Sequence, residues 1–158
     1  MKLCAKPHVV PGLVTISLAL IAASIAFAQS ELPPGSPQLI SPEEMVKLLQ
    51  GPQGEKPVIL DVGPSLLYMQ AHIPSAEYIG AASSPQGIQS LRTRVKALPK
   101  NTFIVLYCGC CPWSHCPNVR PALRELQKLG FSDVKVLYIA DNFGADWVDK
   151  GYPTIRGQ

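Results

Sequence analysis

Apolar runs of strand length alternate along this chain with segments of helical spacing. The longest runs cover residues 57–62, 102–107 and 134–139, and a shorter strand is predicted at residues 77–79. The run at residues 102–107 is continuously apolar after Thr102, and Asp61 and Lys135 are the charged residues of the other two, which indicates strands that are buried on both faces. Strands that alternate with helices in this order predict an α/β fold, in which helices cover both faces of a mostly parallel sheet.

The helical segments carry their own start signals. Ser41 can cap a helix that has Pro42 in its first position, and Glu44 can reach back to complete a capping box. Asn118 can cap a second helix, whose apolar face runs to Leu129. Further helices are predicted over residues 65–71, 88–98 and 142–150.

The beginning of the chain differs from the rest. Lys2 and Lys6 precede an apolar stretch, residues 13–27, that closes with an Ala-Phe-Ala sequence ending at Ala28. This order predicts a secretory signal peptide over residues 1–28, and the alternative is an uncleaved anchor. Cleavage would release the protein through a Sec-type pathway into the bacterial periplasm, without stable membrane insertion, where thiols tend to oxidise.

The remainder of the chain is predicted to form one domain. Residues 29–37 contain three prolines and no periodic pattern, so we expect a Pro-rich linker before a domain at residues 38–158. The chain has 14 basic and 11 acidic residues, and two of the lysines lie in the predicted signal peptide. The near balance that remains excludes a broad basic surface for nucleic acid.

Four cysteines follow the most strongly predicted strand within nine residues. They are Cys108, Cys110, Cys111 and Cys116. Cys108 comes directly after the strand at residues 102–107, which places it at the carboxyl edge of the sheet, where ligands bind in such folds. Because the next helix begins nearby, we expect its N-terminus to stabilise the Cys108 thiolate and to lower the pKa. Clustered thiols on a loop point to chemistry more than to packing.

Motifs spread over residues 39–154 resemble those of single-domain rhodanese-like proteins. They include Leu39-Ile-Ser-Pro-Glu-Glu44, Val58-Ile-Leu-Asp-Val62, Ala71-His-Ile-Pro-Ser-Ala-Glu-Tyr-Ile79, Ile104-Val-Leu-Tyr-Cys108 and Ala145-Asp-Trp147. The resemblance implies a single α/β domain with a five-stranded, mostly parallel sheet. It also implies that Cys108 is the catalytic residue, which accepts a sulfane sulfur as a persulfide and passes it to a nucleophile. The implied substrate-binding loop comprises Gly109, Cys110, Cys111, Pro112, Trp113, Ser114, His115 and Cys116.

The loop departs from the family pattern. It has no Lys or Arg between Cys108 and Arg120, whereas family members often have an arginine there for the charge of the substrate. Pro112 and Pro117 have no N–H group to donate to an anion. We therefore expect thiosulfate to bind less well than in a typical member. Asp61, at the end of a neighbouring strand, is expected to orient amides or cap a helix, and Asn118 supports the site at the next helix.

The extra cysteines leave three interpretations open. In the first, Cys111 or Cys110 resolves a persulfide or mixed disulfide on Cys108 by thiol–disulfide exchange. In the second, the four thiols form structural disulfides, for which three pairings exist. In the third, Cys108, Cys110, Cys111 and Cys116 bind zinc or copper, with His115 as a spare ligand. The last two would make the protein a non-catalytic module.

The first interpretation makes the protein an exported sulfurtransferase without a cofactor. Its partners would be a small sulfur-containing anion, such as thiosulfate or another persulfide donor, and an acceptor that is a protein thiol, a low-molecular-weight thiol or cyanide. A phosphatase is disfavoured because phosphate would lack the basic residue. We expect His72 to be a satisfied buried histidine and Trp147 to belong to the core. Trp113 either covers the cysteine or anchors the loop.

Overall fold

A computed structural model describes residues 38–52 and 56–157. The predicted signal peptide at residues 1–28 and the predicted linker at residues 29–37 lie outside the described residues. The strands are β1 Leu39–Ile40, β2 Val58–Asp61, β3 Glu77–Tyr78, β4 Ile104–Tyr107 and β5 Val134–Leu137. The α-helices are α1 Pro42–Gln50, α2 Ser65–Gln70, α3 Pro85–Val95 and α4 Val119–Lys128. No helix in this part of the chain is long and apolar enough to cross a membrane.

The five strands form one sheet in the order β1-β5-β4-β2-β3. All four neighbouring pairs are parallel, so the predicted α/β fold with a parallel sheet is confirmed. β4 lies at the centre of this order, and all four of its residues are buried. The chain therefore delivers Cys108 to the middle of the carboxyl edge of the sheet, between the ends of β2 and β5.

The sheet separates two apolar cores, because successive side chains of a strand point to opposite faces. Ile104 and Leu106 of β4 face the first core, which is covered by α3 and α4. Val105 and Tyr107 face the second core, which contains Met45 of α1. Trp147 also lies in the second core and is fully buried, as predicted. Cys108 continues the alternation of β4 and packs in the first core.

The helix boundaries follow the capping residues. The capping box of α1 is confirmed, since the Glu44 N–H donates to Ser41 Oγ over 3.2 Å and the Ser41 N–H donates to the Glu44 carboxylate over 2.8 Å. α3 begins at Pro85, three residues before the predicted start, because Ser84 Oγ accepts from the Gly87 N–H. The helix predicted at residues 142–150 is only a short π-helical turn, Gly144–Val148.

Candidate functional site

Cys108 is buried at the carboxyl end of β4 and contacts three other parts of the chain. Its Sγ lies 3.3 Å from Cys110 Sγ, and Asn118 Nδ2 donates to it over 3.4 Å. Gly63, just beyond β2, approaches it so closely that a Cβ at this position would lie 2.9 Å from Cys108 Sγ. The thiol is therefore held between the end of the neighbouring strand and the start of α4.

Asn118 positions the thiol instead of capping the helix. It occupies the N-cap position of α4, but its side chain makes no capping hydrogen bond, so the predicted capping role is wrong. Its Oδ1 accepts from the Ser83 N–H over 2.9 Å, and its Nδ2 donates to Cys108. A buried amide that is satisfied at both ends fixes the distance between Cys108 and the loop before α3.

Cys116 is the thiol that faces the start of α4. It is buried, and its Sγ lies within 4.8 Å of those of Cys108 and Cys110. A hydrogen bond from the Cys108 thiol, together with the backbone N–H groups of Asn118 and Val119, lowers the pKa of Cys116 to about 6 against the effect of burial. Of the two buried thiols, Cys116 is therefore the one that ionises more readily.

The predicted lowering of the Cys108 pKa is wrong. The hydrogen bond to Cys116 and burial in the first core raise the pKa of the Cys108 thiol, and the backbone N–H of Cys110 opposes them only in part. Cys116 already occupies the start of α4, and the Cys108 thiol donates to Cys110 Sγ over 3.3 Å. Of the two buried thiols, Cys108 is therefore the protonated one, and Cys116 is the one that can accept its proton.

Cys110 and Cys111 form a second pair that is only partly buried. Their Sγ atoms lie 2.8 Å apart, and all four cysteines of the loop are free thiols. Burial, followed by the contact with Cys110, raises the pKa of Cys111 to about 12. Cys111 is therefore a poor thiolate near neutral pH, although the sequence suggested it as a resolving thiol.

Trp113 anchors the middle of the loop. Its backbone N–H donates to the Ile139 carbonyl over 2.8 Å, and its buried ring packs on Tyr138 with a centroid distance of 6.2 Å. Ser114 and His115 follow in a single 3-10 turn, where Ser114 Oγ and His115 Nδ1 are 2.9 Å apart. The anchoring role is thus the one that the structure supports, and His115 is exposed.

Gly109 and Pro112 mark the two ends of the first part of the loop. The Gly109 carbonyl accepts from the Phe143 N–H over 3.2 Å, and a Cβ at this glycine would lie 2.9 Å from Phe143 Cβ. This approach requires a residue without a side chain. Pro112 precedes the turn at Trp113, and its carbonyl accepts from the His115 N–H over 3.0 Å. The path of the loop past the sulfurs is therefore fixed by backbone contacts.

A cleft of about 670 Å³ opens beside the loop, on the second-core side of the sheet. Its lining includes Asp61, Tyr107, Gly109, Cys110, Phe143 and Arg156. Cys110 is the cysteine that faces this cleft, and its Sγ touches Cys108. Arg156 also lines this cleft and brings a positive charge to it, which the sequence does not reveal because Arg156 lies far along the chain from the loop.

A protein-family model described as the rhodanese-like domain matches residues 41–138. The chain belongs to the rhodanese-like domain family. No curated protein matches it.

The fold of this rhodanese-like domain is similar to that of several solved structures. The Alr3790 protein from Anabaena sp. is 24% identical with a TM-score of 0.55, and the match covers 74% of this chain and 91% of that one. The BH2092 protein from Bacillus halodurans is 22% identical with a TM-score of 0.55, over 74% and 75% of the two chains. A thiosulfate sulfurtransferase from Pseudomonas aeruginosa is 20% identical with a TM-score of 0.53, over 76% of this chain and 20% of that one.

The C-terminal tail of the rhodanese-like domain holds Arg156 at the cleft. His72 and Ile155 form an antiparallel bridge, in which each N–H donates to the other carbonyl over 2.9 Å. His72 itself is buried, stacks on Tyr68 and has its Nδ1 2.8 Å from the Tyr68 carbonyl. The prediction of a satisfied buried histidine is confirmed, and this residue fastens the segment that carries Arg156.

Asp61 is a buried carboxyl group beneath the cleft. Its Oδ1 accepts from the Gly63 N–H over 2.7 Å. Burial raises the pKa of Asp61 from 3.8 to about 6, although the hydrogen bonds from Gly63 and the Tyr107 hydroxyl oppose this rise. Asp61 therefore orients an amide, as predicted, and remains partly protonated in mildly acidic solution.

The thiol cluster of this rhodanese-like domain also has the donor set of a soft-metal site. The Sγ atoms of Cys108, Cys110 and Cys116 lie within 4.8 Å of one another, which is within the reach of three thiolates around one zinc or copper ion. Cys111, the fourth cysteine of the ligand set that the sequence suggested, is not part of this group. Three ligands would leave one position of a tetrahedral ion open.

Proposed function

We propose that the protein is a sulfurtransferase that carries sulfane sulfur as a persulfide on Cys108. The observation that carries the proposal is the pairing of Cys108, at the carboxyl end of the central strand, with the low-pKa thiol Cys116 within 4.8 Å. A protonated thiol is a poor nucleophile, and a neighbouring thiolate that can take its proton removes this obstacle. Membership of the rhodanese-like family supports the same reaction class.

The first step balances within the two buried cysteines and the donor. Cys108 Sγ attacks the outer sulfur of thiosulfate, and its proton passes to the Cys116 thiolate. The bond between the two sulfurs of thiosulfate breaks, and sulfite leaves with the electron pair. The products are a Cys108 persulfide anion, neutral Cys116 and sulfite. An acceptor thiol or cyanide then takes the outer sulfur and regenerates Cys108.

The cleft supports an anionic donor. Arg156 supplies a positive charge at its rim, and Cys110, which lines the cleft, touches Cys108 at 3.3 Å. A donor anion bound near Arg156 would therefore approach Cys108 from the side of Cys110. The tail cation takes the place of the arginine that the loop lacks.

The proposal includes export. The order of basic, apolar and small residues over residues 1–28 supports a cleaved signal peptide and a periplasmic location. N-terminal sequencing of the protein from the periplasmic fraction tests this part. A first residue at Gln29 is the expected result, and a retained Met1 in a membrane fraction would contradict it.

Intact mass measured after incubation with thiosulfate tests the reaction. We expect the wild-type protein to gain about 32 Da at Cys108 and to lose this mass on addition of cyanide. Cys108→Ser should gain no mass. Because Cys4 is removed with the signal peptide, any mass that this variant did gain would map to the other loop cysteines. Sulfur transfer that is unchanged in Cys108→Ser would overturn the assignment.

The second candidate function is a metal-binding module without catalysis. The grouping of three sulfurs within 4.8 Å favours it. Native mass spectrometry of protein purified without chelators separates the two candidates. A stoichiometric zinc or copper ion that is lost in Cys116→Ser, combined with no uptake of sulfur from thiosulfate, would establish the module in place of the sulfurtransferase.

A further inference from the structure

We propose that Cys116 is the resolving thiol of the loop, which attacks the persulfide on Cys108, releases hydrosulfide and leaves a Cys108–Cys116 disulfide. This inference rests on the sulfurtransferase function proposed above, and it assigns the reaction that follows sulfur uptake. It differs from the expectation drawn from the sequence, in which Cys111 or Cys110 has this role.

Burial separates the four thiols into two pairs. Cys108 and Cys116 are both about 3% exposed and pack in the first core, whereas Cys110 and Cys111 are partly exposed. Cys110 Sγ lies 3.3 Å from Cys108 Sγ on the side of the cleft, and Cys116 is the buried thiol beside Cys108 in the core, within 4.8 Å. An intramolecular attack needs no diffusing partner, so a pair fixed at this distance reacts at a high effective concentration.

The start of α4 prepares Cys116 for this attack. The backbone N–H groups of Asn118 and Val119 face its Sγ and stabilise negative charge there. Asn118 also donates to Cys108 Sγ from its side chain, so hydrogen bonds from this one residue position both sulfurs. Burial, followed by the contact with Cys110, raises the pKa of the Cys111 thiol and so disfavours its thiolate.

The step balances without an external oxidant. After sulfur uptake Cys116 carries the proton received from Cys108. This proton first passes to the outer sulfur of the persulfide, which restores the Cys116 thiolate. The thiolate attacks Cys108 Sγ, the bond from Cys108 Sγ to the outer sulfur breaks, and the outer sulfur leaves as hydrosulfide with the electron pair and the proton. The two cysteines are oxidised to the disulfide, and the sulfane sulfur is reduced to sulfide. A protein dithiol or a low-molecular-weight thiol then reduces the disulfide by exchange and resets the loop.

The test measures hydrosulfide and disulfide connectivity after thiosulfate is added to fully reduced protein, once the reductant has been removed. Chymotryptic cleavage after Trp113 places Cys108, Cys110 and Cys111 on one peptide and Cys116 on the next. In the wild-type protein we expect hydrosulfide in an amount stoichiometric with protein and a disulfide that joins the two peptides. Cys110→Ser and Cys111→Ser should still give the joined peptides, because Cys116 is intact in both.

Cys116→Ser gives the opposite expectation. Sulfur uptake should be slower, because Cys116 accepts the proton in that step, so hydrosulfide is measured for each persulfide formed. This ratio should fall by at least about tenfold, and the persulfide of about 32 Da should remain on Cys108. Equal hydrosulfide release for each persulfide formed in the wild type and Cys116→Ser, or a wild-type disulfide confined to the first peptide, would overturn the inference alone. Absence of sulfur uptake in the folded wild-type protein would instead overturn the proposed function. The connectivity in the wild type decides the question even if Cys116→Ser fails to fold.

Discussion

Replacement of Asp61 by Asn should stabilise the protein in a way that depends on pH. Asp61 is buried, and its pKa in the folded state is raised from 3.8 to about 6. A group whose pKa is raised on folding favours the folded state below its unfolded pKa, and this contribution is lost as the pH rises through the folded pKa. At about 1.4 kcal/mol for each pKa unit, the ionised carboxylate therefore costs about 3 kcal/mol in neutral solution.

The neutral amide of Asn removes this cost and keeps an oxygen that can accept from the Gly63 N–H. We expect the difference in unfolding free energy between Asp61→Asn and the wild type to be about 2 kcal/mol larger at pH about 7.5 than at pH about 4.5. Urea denaturation of both proteins at the two pH values measures it, and the value at the lower pH corrects for changes in packing. A difference that stays the same within about 0.5 kcal/mol would refute the assignment of a desolvated, ionisable carboxyl group at this position.

Three further substitutions probe other contacts. Gly63→Ala places a Cβ 2.9 Å from Cys108 Sγ, so we expect a loss of about 1–3 kcal/mol in urea denaturation and slower sulfur uptake by mass; unchanged values would contradict the close approach. Ser84→Ala removes the cap of α3 and should cost about 1 kcal/mol in the same urea assay. Arg156→Gln should raise the KM for thiosulfate about two- to fivefold with little change in kcat, and added salt should reduce the difference; an equal fall in kcat would place Arg156 in another role.

The sheet could be predicted because its determinants are local. The continuous apolar run of β4 identifies a strand buried on both faces, and the capping box at Ser41 identifies the start of α1. The start of α3 was placed too late because the apolar spacing begins at Ile88, whereas the helix begins at the polar Ser84-Pro85 pair. A Ser-Pro pair marks the start of α1 in the same way, at Ser41 and Pro42.

The chemistry of the loop depends on contacts that no local pattern contains. Asn118 has the residue type of an N-cap, but its Oδ1 accepts from the Ser83 N–H, in a loop that is distant in sequence, and makes no capping hydrogen bond. Cys108 and Cys116 both come shortly before α4 in sequence, and only the path of the loop determines which sulfur meets the helix N-terminus. Arg156 reaches the cleft because the tail pairs with His72, a contact between residues 83 positions apart.

The attachment of Trp113 to Ile139 and Tyr138 divides the cysteine loop into two short segments. Each of the two short segments has a smaller closure entropy than one undivided loop would have, so the attachment restricts the positions of the sulfurs on either side. The cysteine segment is therefore not a portable unit. If the cysteine segment alone were transferred to a related domain, Trp113 would lose its contacts with Tyr138 and Ile139. A functional graft must therefore include the residues that follow β5 as well.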